Sequence, residues 1–176
     1  MLILDMIGTF DFPRGASLRR AAEAIAPRIA GLKARVKSGG GICVYANDNF
    51  ADWSTSPDTL LHLAQRSGGA RILESIPPET DDPVLLKPRH SAFHQTPLEH
   101  LLRQAHVTRV LIVGVSTEAC VLATALDARV RELDAHVVSD CVASSSASRR
   151  MHALTVMRHC EIPTTGAARA LTPRDA

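Results

Sequence analysis

Apolar and polar positions alternate along this chain on a long period. Short, continuously apolar runs occupy residues 2–4, 42–46, 84–86, 110–113 and 136–138, and longer amphipathic stretches separate them. Runs this short, bounded by turn-forming residues, read as buried strands, and the stretches between them read as helices. The pattern predicts helices over residues 18–37, 57–65, 97–105, 117–133 and 145–159, with Pro27 kinking or restarting the first. Strands that are apolar on both faces must be covered on both sides. The predicted fold class is therefore α/β: a three-layer α/β/α sandwich with a mostly parallel, Rossmann-like sheet and right-handed crossovers. In such a sheet, catalytic groups belong at the C-terminal ends of the strands.

The glycine run Ser38-Gly39-Gly40-Gly41 follows a helix and precedes a strand. A phosphate-binding loop needs the reverse order, so helix termination is the expected role. No internal repeat, low-complexity tract or linker interrupts residues 1–176, which read as a single domain.

Composition narrows the functional classes. The chain has 176 residues, 45% hydrophobic and 22% charged, with a formal net charge of +2 and only 3% aromatic residues. Charges of both signs are interspersed, so neither the basic stripe nor the stacking surface of a nucleic-acid binder is present. No apolar run approaches the ~20 residues of a membrane span. The cysteines Cys43, Cys120, Cys141 and Cys160 are widely spaced, form no C-x-x-C pair and follow no signal peptide. Reduced thiols in a soluble, cytoplasmic protein are expected.

Three strand ends carry chemistry. The first predicted strand ends in Asp5 and the third in Lys87, and the fourth runs through Gly114 into a turn that leads to Cys120. Thr117 is placed to cap the following helix, which puts Cys120 in the first turn, where free N–H groups and the helix dipole favour a thiolate. A thiol reactive at neutral pH is the expectation. An acid, an ammonium and a thiol at one sheet edge make a nucleophile with a proton acceptor and a supporting cation. The N–H groups of Ser116 and Cys120 are candidate oxyanion donors.

The segments Leu2-Ile3-Leu4-Asp5-Met6-Ile7-Gly8-Thr9-Phe10-Asp11-Phe12, Leu86-Lys87-Pro88-Arg89-His90-Ser91-Ala92-Phe93 and Gly114-Val115-Ser116-Thr117-Glu118-Ala119-Cys120-Val121 resemble the isochorismatase-like cysteine hydrolase superfamily, in its order, across roughly residues 1 to 160. The resemblance implies a nucleophilic Cys120, a general acid/base Asp5 and a supporting Lys87. It also implies a cis peptide between Val115 and Ser116 that turns the Ser116 N–H into the oxyanion hole, and assembly into a homodimer or higher homo-oligomer. That superfamily includes nicotinamidases, N-carbamoylsarcosine, ureidoacrylate, maleamate and biuret hydrolases, and isochorismatases, which cleave an enol ether. Nicotinamidases resemble one another in an Asp-x-His metal pair after the second strand. Here Asp48 is followed two residues later by Phe50, and His62 alone is a poor substitute. No metal, no cofactor and no nicotinamidase activity are expected.

The stretch Asn47-Asp48-Asn49-Phe50 with Trp53 resembles a generic cysteine-hydrolase branch. Asn47 is expected to line the pocket and bond a substrate amide, with Phe10, Trp53 and Phe93 as apolar walls. The alternative for Trp53 and Phe93 is packing at a subunit interface. His90 and His94 read as loop histidines rather than metal ligands, Asp11 as a loop-fixing residue, and Asp140 and Cys141 as structural. Asp140 is expected to tie down the end of the fifth strand or the cap region of residues 144–146, and Cys43 to be buried and unreactive. The expected activity is C–N hydrolysis of a small, polar, planar amide or carbamoyl/ureido compound through a Cys120 thioester. Its alternatives are vinyl-ether hydrolysis of an isochorismate-like diacid and a catalytically idle small-molecule-binding homologue.

Overall fold

The computed structural model describes residues 1–172. The elements run β1 (Leu2–Leu4), α1 (Gly15–Ser38), β2 (Val44–Asp48), α2 (Pro57–Gln65), α3 (Ala70–Ser75), β3 (Val84–Lys87), α4 (Leu98–Gln104), β4 (Arg109–Val115), a π-helical turn (Thr117–Val121), α5 (Leu122–Val130), β5 (Asp134–Ala143), α6 (Ala147–His159) and β6 (Thr164–Thr165). The strands form one parallel sheet in the order β3-β2-β1-β4-β5-β6. Period-two alternation divides each central strand between two cores. Ile3, Tyr45 and Val113 face Ile25, Ile29 and Leu32 of α1, with Leu60 and Ile72 of α2 and α3 alongside. Leu2, Leu4, Val44 and Ile112 face Leu98 and Leu102 of α4, Ala125 of α5 and Leu154 and Met157 of α6. That two-sided burial is why these strands are apolar at every position.

Several boundaries differ from the pattern. Helix α1 begins at Gly15 and runs unbroken through Pro27. Pro27 lies on the exposed side, where water can satisfy the carbonyl that loses its N–H partner. The first helix ends at Gly39, whose N–H bonds the carbonyls of Arg35 and Val36, and Gly40 takes a positive φ of 78°. Strand β5 does not stop at residue 138 but continues to Ala143 through an irregularity that carries Ser139 and Asp140. The polar pair interrupts the apolar run, which conceals the strand's true length. Asp140 and Cys141 therefore lie inside β5, and Asp140 Oδ1 accepts from the N–H of Ala167 at 2.7 Å. Ser146 caps α6, its side chain accepting from Arg149 N at 3.3 Å. None of the helices among the described residues is long and apolar enough to cross a membrane.

Gly114 joins the scaffold to the site. Its φ is +110°, and a Cβ there would lie 2.1 Å from the Leu4 carbonyl oxygen. Only glycine lets β4 approach β1 this closely just where both strands deliver their chemical groups.

Candidate active site

The strand order dictates which residues can meet. Asp5 follows β1 directly, and its N–H extends the ladder to Ala46 O at 3.0 Å. Its φ of 50° is left-handed, a conformation aspartate tolerates better than most residues. Lys87 closes β3, two strands away, and its long side chain passes the end of β2 fully buried. Cys120 sits in the π-helical turn after β4, where Val121 N–H reaches back to Ser116 O at 3.2 Å. Lys87 Nζ lies 3.0 Å from Asp5 Oδ2 and 3.4 Å from Cys120 Sγ. Asp5 Oδ1 accepts from Asp48 N at 2.8 Å, and the Asp48 carboxylate stands 3.7 Å from Lys87 Nζ. The peptide between Val115 and Ser116 is cis.

Burial sets the protonation states. It pushes the Cys120 thiol well above its ordinary value, and the Asp5 charge adds to the rise while Lys87 opposes it. Burial likewise raises the Asp5 carboxyl, against the pull of Lys87 and of hydrogen bonds from Cys120, Lys87 and Asp48. For Lys87, burial favours the neutral amine, but Asp5 and Cys120 outweigh it and hold the ammonium. Burial therefore favours the protonated thiol, and Asp5 and Cys120 keep Lys87 an ammonium. The helix-like N-terminus of the turn favours a thiolate, but desolvation pushes the other way and prevails at rest. Thr117 also does not cap the turn. Ser116 holds the cap position without a side-chain bond, and Thr117 Oγ1 is buried with no partner among the described residues.

A cavity of about 340 Å³ opens over the trio. Its lining includes Asp5, Asp48, Cys120, Ser116, His90, Ile7, Phe10, Phe12, Leu18, Phe50 and Val115. Phe10 and Phe50 both take positive φ, at 57° and 51°. Of the residues expected to line the pocket, Phe10 does so and three do not. Asn47 is fully buried, and its Oδ1 accepts from Ile7 N at 3.0 Å, so it braces the segment after β1. Phe93 is 4% exposed and packs in the core beneath Arg131, whose guanidinium carbon is 4.7 Å from the ring centre. Trp53 is 78% exposed and borders a separate depression with Arg89 and His94. The corrections share a cause: one step along a strand or loop reverses the direction of a side chain, and composition does not report direction.

Sequence reasoning gave no role to Asp48, Phe12 and Phe50 and treated His90 as a loop residue. Asp48 pairs in register with Lys87, while Asn47 pairs with Leu86, so Asp48 is the β2 residue on the level of the lysine. The strand-end rule that selected Asp5 and Lys87 also selects Asp48 once β2 is known to lie between β1 and β3. His90 Nδ1 stands 3.8 Å from Cys120 Sγ. Asp11 is exposed, with its N–H on Thr9 Oγ1 at 3.3 Å. Cys43 is buried, and burial raises its thiol; burial and Asp140 push Cys141 up to about 12. Among the described residues no group of three or more His, Cys, Asp or Glu is arranged to hold a metal ion.

Comparison with known proteins places this geometry. The isochorismatase domain family matches residues 1–169. The isochorismatase family protein YaaI of Bacillus subtilis is 35% identical over 159 residues, covering 90% of this chain and 88% of its own. Maleamate amidohydrolase of Pseudomonas putida is 28% identical over 150 residues, with 81% and 70% covered. A crystal structure of an isochorismatase family protein from Desulfovibrio vulgaris superposes with a TM-score of 0.77 at 27% identity, over 96% of this chain and 93% of the other. A match spanning nearly the whole chain, on the fold those relatives share, shows that the protein belongs to the isochorismatase family of hydrolases.

Proposed function

We propose that the protein is a cysteine hydrolase that cleaves the C–N bond of a small carboxamide or carbamoyl compound through a thioester on Cys120. The observation that carries this reading is the contact of Lys87 with both Asp5 and Cys120, at 3.0 and 3.4 Å, beneath an open cavity. Asp5 accepts the thiol proton, and its raised carboxyl makes it a stronger base than an exposed aspartate. Sγ attacks the carbonyl carbon and the C=O electron pair moves to oxygen, which the N–H groups of Ser116 and Cys120 receive. The proton passes from Asp5 to the leaving nitrogen, and the C–N bond breaks with its electrons on nitrogen. Water then gives a proton to Asp5 and attacks the thioester, and Cys120 leaves and is reprotonated. Lys87 remains an ammonium throughout, orienting Asp5 and offsetting negative charge on sulfur.

The cavity supports a small, polar, planar substrate. Its walls are Ile7, Phe10, Phe12, Leu18, Phe50 and Val115, and its lining among the described residues holds two carboxylates and neither lysine nor arginine. A diacid would meet Asp5 and Asp48 without a fixed cation in the wall, which weighs against the vinyl-ether reading. The relationship to maleamate amidohydrolase agrees with amide chemistry. The test is a panel of small carboxamides and ureido compounds, followed by ammonia release and by intact mass after acid quench. An acyl adduct on Cys120 during turnover is expected; amide turnover that Cys120→Ala leaves unchanged would overturn the reading.

A further inference from the structure

The trio leaves the cavity's imidazole unused. His90 follows β3 by three residues, is exposed, and lines the cavity together with Cys120. Its Nδ1 is 3.8 Å from Cys120 Sγ, long for a bond to sulfur but within the distance that a bound substrate closes. Asp5 also meets the thiol, but both of its oxygens already carry other bonds, Oδ2 to Lys87 and Oδ1 to the N–H of Asp48. Asp5 and His90 both line the cavity, and of the two His90 is the exposed one.

We propose that His90 is a second proton acceptor for the Cys120 thiol. The proposal rests on the reading of Cys120 as the nucleophile. With the imidazole proton on Nε2, the Nδ1 lone pair faces the thiol. The S–H bond breaks, its hydrogen bonds to Nδ1, and the sulfur electron pair forms the S–C bond as the carbonyl pair moves to oxygen. The imidazolium then gives its Nδ1 proton to the departing nitrogen as the C–N bond breaks, which restores the neutral Nε2–H ring.

Groups from several elements surround the ring. Asp5 beyond β1, Asp48 at the end of β2 and Cys120 of the π-helical turn share the cavity with it, and Lys87 lies beneath. Arg89 precedes it and is exposed, while Glu118 on the turn is paired with Arg149 at 3.4 Å. Of the other buried thiols, Cys141 has the Asp140 carboxylate beside it, and neither Cys43 nor Cys141 shows an imidazole contact among the described residues.

The decisive measurement is the rate of Cys120 alkylation by iodoacetamide from pH 5 to 10, followed by peptide mass spectrometry. It is run on the wild type and on His90→Gln, Asp5→Asn and the double variant. The wild-type rate should rise with pH in two steps, a lower one that needs the imidazole and a second at high pH. His90→Gln should lose the lower rise and fall about tenfold at pH 7, and the double variant should fall below Asp5→Asn by a similar factor. A His90→Gln profile that superposes on the wild type, or a double variant equal to Asp5→Asn, would overturn the proposal. Because alkylation needs no substrate, it decides the role of His90 even if every amide in the panel is refused. Conversely, intact amide turnover with an unchanged His90→Gln profile removes His90 alone and leaves the hydrolase reading in place.

Discussion

Two lysine–aspartate pairs stand at opposite ends of β2 and β3, and they reach opposite outcomes. At the N-terminal edge, Lys33 of α1 meets Asp82 at 2.5 Å and also donates to Pro77 O at 2.7 Å and Tyr45 Oη at 3.2 Å. Asp82 takes a second lysine, Lys37, at 3.0 Å and the N–H of Glu79 at 2.8 Å. At the C-terminal edge, Lys87 holds Asp5 with a single lysine, and its other close contact is a thiol that can lose its proton. Burial presses both carboxyls upward. For Asp82 the hydrogen bonds from Lys33, Glu79 and Lys37 outweigh it and the carboxyl ends low, whereas for Asp5 burial prevails and the carboxyl ends high. A buried ion pair is thus no sign of chemistry by itself. What separates the two ends is whether the pair is fully satisfied or left with a proton to move, beside an open cavity.

The largest expected effect tests the C-terminal end. Cys120→Ala and Asp5→Asn should each lower kcat/KM by on the order of 10³-fold or more, because in the proposed mechanism each removes a group that acts on the reacting atoms. Steady-state rates on an accepted amide, beside thermal unfolding of the same preparations, provide the check. A loss of activity traceable to unfolding would erase the contrast with the other pair.

The N-terminal end should show the reverse signature. Asp82→Ala leaves Lys33 buried beside Tyr45 without its closest carboxylate, and breaking a buried pair costs about 3–5 kcal/mol. Urea unfolding should show that loss, while kcat of the folded fraction stays within about twofold. A comparable fall in kcat would mean that the two ends are coupled through β2 and β3.

The two carboxyls should also tilt stability in opposite directions with pH. Asp82, held low, contributes stability that is complete above the unfolded aspartate value of about 3.9 and is lost as pH falls through its folded value. Asp5, held high, binds its proton more tightly in the folded state, so its contribution is complete at low pH and is lost as pH rises through its folded value. Unfolding free energies from pH 3 to 8 should therefore show Asp82→Asn converging on the wild type in acid and Asp5→Asn gaining on it as pH rises. Parallel curves for the two variants would contradict the assigned directions.

How much of this was legible in the sequence depends on what local pattern encodes. The apolar runs locate β1 to β4, and strand ends are where a parallel sheet presents its chemistry, so Asp5 and Lys87 could be read directly, and Cys120 from the turn after Gly114. The pattern does not encode strand order, and that order brings Asp48 between them. It does not encode register, so Asn47 and Asp48 were exchanged although they face opposite ways. Nor does it report desolvation: the helix-like N-terminus at Cys120 is local, but the burial that keeps the thiol protonated comes from distant segments. Strand β6, two threonines long, carries too little pattern to be seen. Aromatic residues are the hardest case, because a pocket wall and a core anchor have the same composition.

The smallest expected effect marks where the working end stops. Phe50 and Trp53 lie on one loop after β2, and both are exposed aromatic residues, at 54% and 78%. A Cβ at Gly8 would meet the Phe50 ring at 3.5 Å, so that ring leans over the segment carrying Asp5 and forms part of the cavity wall. Trp53 instead borders the depression with Arg89 and His94. Removing Phe50 takes apolar surface from the substrate's side, and Phe50→Ala should raise KM about tenfold with little change in kcat, the mark of lost uniform binding. Trp53→Ala removes an exposed ring from a surface the reaction does not use, so turnover should stay within about twofold and stability within about 0.5 kcal/mol. The two variants share a loop and a residue class and differ mainly in the direction of the side chain. A Trp53→Ala KM as high as that of Phe50→Ala would show that the cavity extends past Asn49 during turnover, and the boundary drawn between the two depressions would have to move.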